Sequence, residues 1–124
     1  MRSSVETAKD YLADSLQAVF ELAKADRIIF DGAYPGWKPN PHSAILKLMQ
    51  EIYQKMYHKA PEIMAVHAGL ECGIIGAVVP GLDMISFGPT LRSPHSPDER
   101  CFIPSVGKFY DFVVATLENT PVKE

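Results

Sequence analysis

No stretch of this 124-residue chain approaches the twenty or so consecutive apolar residues of a membrane span. The opening MRSSVETAKD has no apolar core of a secretory signal. Neither sign of charge is in large excess. The formal net charge is −3, which argues against nucleic acid as the main partner, because phosphate binding needs a basic face. Cysteine is scarce. Cys72 and Cys101 are far apart and match no metal spacing, which favours reduced thiols in a cytoplasmic protein. There is no internal repeat and no low-complexity segment. What remains is a chain 47% hydrophobic and 22% charged, with the length and apolar content of one ordinary folded domain.

The periodicity predicts helices joined by short apolar runs. Val5, Ala8, Leu12, Leu16, Val19, Phe20 and Ala23 recur at three- and four-residue steps, so the first 25 residues read as a helix with one apolar face. Ser3 and Glu6 have the capping-box spacing. Arg27–Phe30 reads as a short strand ended by Asp31-Gly32. Tyr34 to Pro41 carries three prolines and a glycine and cannot be an element interior. Trp37 within it suits a packing anchor. Asn40-Pro41 suits the start of a second helix, whose stripe runs from Ile45 to Tyr57 and stops by Pro61. Ile63–Val66 reads as a short buried strand and Leu82–Phe87 as a second strand, on either side of a small apolar stretch over 70–79 that reads as a buried helix. A last helix spans Pro104 to Leu117. Strands alternating with helices argue for an α/β fold with a parallel or mixed sheet and flanking helices.

In such sheets ligands bind at the carboxyl ends of strands. Two segments leave such ends. One is His67-Ala68-Gly69-Leu70-Glu71, where free N–H groups at a helix start suit an anion such as a substrate carboxylate and Gly69 permits close approach. The same residues also describe a plain glycine turn, with Glu71 serving the helix dipole alone. The other is GPTLRSPHSPDER, residues 88–100. Pro94 and Pro97 restrict the backbone around His95, and a fixed imidazole near Asp98 and Glu99 suits a metal ligand. A solvated loop histidine is the alternative, because one histidine is not a metal site. His42 and His58 read as surface residues at a helix start and a helix end.

MAVHAGLECGII, followed by DMISFGPTLRSPHSPDERCFIPSVGKFYDFV, resembles the C-terminal end of the aminoacyl-histidine dipeptidases, and GAYPGWKPNP fits as well. The resemblance covers at least Tyr34 to Leu117. It implies a cytosolic, two-zinc metallopeptidase that cleaves Xaa-His dipeptides, with a phosphorylase/hydrolase-like catalytic domain. It makes His95 the late zinc ligand, with Asp98 and Glu99 in support. It places His67, Gly69, Leu70 and Glu71 at the border of the substrate pocket, Gly69 and Leu70 contacting the dipeptide carboxylate through their backbone. The family's early His-x-Asp motif is missing: two residues beyond the four histidines stand Ala44, Ala60, Gly69 and Pro97. The paired glutamates are missing too. The resemblance therefore implies a C-terminal fragment, inactive alone, with residues 1–33 the tail of a lid domain, 34–41 a linker and 42–124 the end of the catalytic domain. Its implied partners are the dipeptide, the absent N-terminal catalytic segment and a second subunit in a homodimer. Two other readings stay open. One is a carboxylate-binding module without enzymatic activity. The other is a structural piece whose apolar helix faces associate with another segment or copy.

Overall fold

The computed structural model describes residues 3, 5–66 and 71–122. Four helices dominate: α1 Glu6–Leu22, α2 Ala44–Tyr57, α3 Glu71–Val78 and α4 Ile103–Glu118. The strands are β1 Leu91–Arg92 and β2 Arg100–Cys101, paired antiparallel with Leu91 opposite Cys101 and Arg92 opposite Arg100. No helix among the described residues is long and apolar enough to cross a membrane. The chain divides into two compact units. The first holds residues 1–40 and 64–82, the second residues 41–63 and 83–124.

Helices α1, α2 and α4 match the periodicity in place and in approximate length, while their caps differ. α3 forms at the small apolar stretch but is not the buried helix that its composition suggests: Gly73 is its one buried residue, and Ile74, Ile75 and Val78 are exposed. No capping box forms on α1. Its N-cap is Val5, whose N–H donates to Ser3 Oγ, and the Glu6 carboxylate turns instead to Lys9 at 2.6 Å and to the Gly36 N–H at 2.8 Å. Lys9 and that backbone N–H hold the Glu6 carboxyl below the usual carboxylate range. Lys9 also donates to the Tyr34 carbonyl. The first turn of α1 thus grips the proline-rich segment within the first unit. α3 packs on the same segment: a Cβ on buried Gly73 would lie 2.5 Å from the Pro35 carbonyl oxygen, so only glycine fits there.

α2 starts at Ser43 rather than at Asn40-Pro41. The Ser43 hydroxyl accepts the Leu46 N–H at 3.0 Å, and the Asp83 carboxylate accepts the Ile45 N–H at 3.1 Å. These acceptors satisfy N–H groups that the first turn of any helix leaves open. The helix ends four residues before Pro61, with His58 left-handed at φ 51°. α4 starts one residue before Pro104, which sits in the first turn where its missing N–H costs nothing.

The second unit has its core between α2 and α4. Met49, Ile52 and Phe112 are buried there, with Ile45, Leu48, Tyr53, Met56, Tyr57, Ile85 and Ala115 packed around them. The ring of Phe112 meets Tyr53 at 5.3 Å and Phe87 at 5.7 Å, both edge-on. α1 buries no residue among those described. Its predicted inner face, including Leu12, Leu16, Val19 and Phe20, is exposed.

The sheet differs most from expectation. None of the segments 27–30, 63–66 and 82–87 forms a ladder, and the sheet among the described residues is two-stranded and antiparallel. A strand needs a neighbour to take its N–H and C=O groups, and none of these three runs finds one among the described residues. The apolar content that marked them remains: Ile29, Phe30, Ile63, Met64, Val66 and Leu82 are all exposed. The 82–87 run is engaged through Ile85 against the α2–α4 core and Phe87 against Phe109 and Phe112.

Candidate functional site

The best-defined candidate is the loop that the two short strands close, residues 93–99 in the second unit. Its base is tied twice. The Phe102 N–H donates to the Thr90 carbonyl at 2.9 Å. The Thr90 N–H donates to Ser105 Oγ at 2.8 Å, while that hydroxyl donates to the Phe102 carbonyl at 2.6 Å. Ser105 therefore joins the entry of β1 to the first turn of α4. Neither Thr90 nor Ser105 was marked as a site residue by the sequence, although a serine beside a helix-starting proline is itself a boundary signal.

Inside the loop two residues have left-handed backbone, Ser93 at φ 51° and His95 at φ 62°. Side chains rarely adopt this region, though histidine does so more than most. Three bonds brace the turn. Ser96 Oγ donates to the Ser93 carbonyl at 2.8 Å, the Glu99 N–H donates to the Ser96 carbonyl at 3.0 Å, and the Asp98 N–H reaches Ser96 Oγ at 3.2 Å. The Glu99 carboxylate accepts the His95 backbone N–H at 2.7 Å. So the acidic residue four positions on serves the backbone that carries the imidazole. His95, Asp98 and Glu99 are all exposed.

The other predicted site lies largely out of view. His67, Gly69 and Leu70 fall outside the described residues. Glu71 is exposed in the first turn of α3, in the first unit. His95 belongs to the second unit. Among the described residues no three His, Cys, Asp or Glu side chains gather as a metal-holding group. A catalytic zinc takes about three protein ligands and an open position. The described residues hold no such group, and the expectation of His95 as a ligand rests on the resemblance.

The sequence is 42% identical over 123 residues, 99% of this chain, to the cytosol non-specific dipeptidase of Escherichia coli K12. The chain is homologous to a quarter of a dipeptidase. It spans 25% of that relative's length. The fold agrees: the structure superposes on the aminoacylhistidine dipeptidase of Vibrio alginolyticus with a TM-score of 0.74 and 46% identity, covering 98% of this chain and 25% of that one. No protein-family model matches. The dipeptidase likeness therefore extends beyond the 34–117 stretch that carried the resemblance, through α1 and the C-terminal turn of α4.

Proposed function

We propose that this chain is the part of a two-zinc dipeptidase that brings one metal ligand, His95, and one wall of the substrate pocket to the active site. The observation that carries the reading is the 42% identity over 99% of the chain to a dipeptidase. The substrate class is Xaa-His dipeptides and the compartment is the cytoplasm. The backbone N–H groups of Gly69 and Leu70 receive the dipeptide carboxylate, with His67 and Glu71 beside them. Asp98 and Glu99 support the loop of His95. Zinc, when bound in such a site, lowers the pKa of its water and polarises the scissile carbonyl. The general base and the other metal ligands belong to the remaining three quarters of such an enzyme, so the chain alone is inactive. Segments 63–66 and 82–87 find their ladder partners there, which completes the mixed sheet of the catalytic domain, and 27–30 finds its partner in the rest of the lid domain. Residues 1–33 belong to a lid domain, 34–41 to a linker and 42–124 to the catalytic domain, and the whole enzyme is a homodimer.

Replacing the matching quarter of the Vibrio alginolyticus enzyme with this chain tests the ligand assignment. Zinc per subunit, measured by equilibrium dialysis, falls by one in the His95→Ala version. An unchanged zinc content sinks the assignment of His95.

One observation favours a second reading, an associating structural piece. Only three hydrophobic side chains are buried among the described residues, while Tyr11, Leu12, Leu16, Val19 and Phe20 lie open along α1. Light scattering separates this reading from a simple monomer. Self-association of the isolated chain supports it, and a monomer that binds no apolar dye counts against it.

A further inference from the structure

We propose that Glu99 is a positioning residue that holds His95 through its backbone and not through its ring. The inference deepens the reading of His95 as a metal ligand and rests on it for its purpose, but its evidence is independent of any metal. Carboxylates near ligating histidines ordinarily take the second ring N–H. Here the Glu99 carboxylate accepts the His95 main-chain N–H at 2.7 Å, a length typical of a charge-assisted bond.

The location of that bond explains why it is needed. His95 sits at φ 62°, and Ser93 two residues earlier at φ 51°. Left-handed backbone persists at a non-glycine residue only when the surroundings over-determine it. Prolines do not do this alone. Pro94 fixes its own φ, and Pro97 restricts Ser96, but neither fixes His95. The other bonds of the loop run between Ser93, Ser96, Asp98 and Glu99 and bypass His95. Among the described residues, the Glu99 side chain makes the one hydrogen bond to the His95 backbone within this turn. The Glu99 N–H is itself tied to the Ser96 carbonyl, and Arg100 next along begins β2, so the carboxylate acts from a fixed base.

The rotation of His95 about its backbone decides where its imidazole points. A side chain that sets φ at residue 95 therefore aims the ring without touching it. Asp98, the other half of the acidic pair, engages through its main chain: its N–H meets Ser96 Oγ and its carbonyl meets Arg100 Nε. The pair that sequence treats alike is thus divided, with the side-chain role falling to Glu99.

Amide exchange of the 124-residue chain, resolved by NMR, tests the proposal without metal or substrate. Loss of one charge-assisted bond exposes the His95 amide roughly ten-fold more often. Glu99→Ala speeds exchange at His95 by about that factor, while Glu99→Gln, which keeps an acceptor at the same reach, preserves protection. Glu99→Asp, one methylene short, behaves as Glu99→Ala. Phe112 in α4 reports whether the fold survives, and if Glu99→Ala loosens it the Gln and Asp variants decide. Protection at His95 unchanged in Glu99→Ala or Glu99→Asp overturns the proposal, as does its loss in Glu99→Gln. An exchange result of this kind leaves the zinc measurement on His95→Ala untouched, so failure of the positioning role and failure of the ligand role are told apart.

Discussion

Phe112→Ala strikes the contact on which the second unit depends. The ring is one of three buried hydrophobic side chains among the described residues and is 9% exposed. It lies between α2 and the 82–87 run, edge-on to Tyr53 and to Phe87. Truncation removes about 150 Å² of buried apolar surface, worth about 4 kcal/mol at 25 cal/mol per Å². Measured Phe→Ala costs of about 3–5 kcal/mol in protein cores agree. A core of three buried residues has little reserve against such a loss, so α2 and α4 separate and lose helicity. Urea unfolding followed by far-ultraviolet circular dichroism reads the change. Ile103→Ala, on the same helix but 81% exposed, is the control and moves the midpoint little. Equal midpoints for the two variants refute the placing of this core between α2 and α4.

Other outcomes follow from the caps and close contacts. The Asp83 carboxyl is held below the usual carboxylate range by its bond with the Ser43 side chain first, and then by the Ile45 N–H and its neighbours. A depressed folded-state pKa adds stability above the unfolded value that is lost as pH falls through the folded one, so Asp83→Asn flattens the acid limb of a stability–pH curve. The Tyr57 hydroxyl is pushed up by burial first, against the pull of Lys108. Its stability contribution is complete below the unfolded pKa and declines as pH rises through the folded one, so Tyr57→Phe flattens the alkaline limb of a stability–pH curve. Gly73→Ala drives a Cβ to 2.5 Å from the Pro35 carbonyl and costs about 1–3 kcal/mol, whereas Gly107→Ala, with nothing within 4 Å, gains up to about 1 kcal/mol of helix propensity. Thermal melts of the two variants shift in opposite directions.

Helices α1, α2 and α4 were legible because each carries its own period, whereas α3 showed only as a small apolar run. Ile45, Leu48, Met49, Ile52 and Met56 mark the inner face of α2 without reference to anything distant, and all five join the core. The caps were less legible. Asp83 reaches the start of α2 from 38 residues away, and no local pattern announces it. The strands were legible only as apolar runs. Whether Ile63–Val66 forms a strand depends on a neighbour, and residues within the run do not specify one. The loop of His95 divides in the same way. Its prolines and acidic pair pointed to a held imidazole, but not to a Glu99 carboxylate that accepts the His95 main-chain N–H, because a left-handed φ at residue 95 is written in no side-chain spacing. The pocket border at His67, Gly69 and Leu70 rests on the resemblance and lies outside the described residues.

Turnover of an Xaa-His dipeptide with added zinc, measured on three proteins side by side, tests whether this chain brings a metal ligand to a dipeptidase active site. These are the 124-residue chain, the Vibrio enzyme carrying this chain as its matching quarter, and the same chimera with His95→Ala. The chain alone shows no hydrolysis above blank, and the chimera hydrolyses the dipeptide clearly. The His95→Ala chimera loses at least about a hundred-fold, since even outer-shell partners of a metal cost about 10–100-fold. Hydrolysis by the isolated chain, or undiminished hydrolysis by the His95→Ala chimera, rules out His95 as a metal ligand in an enzyme that needs its other three quarters.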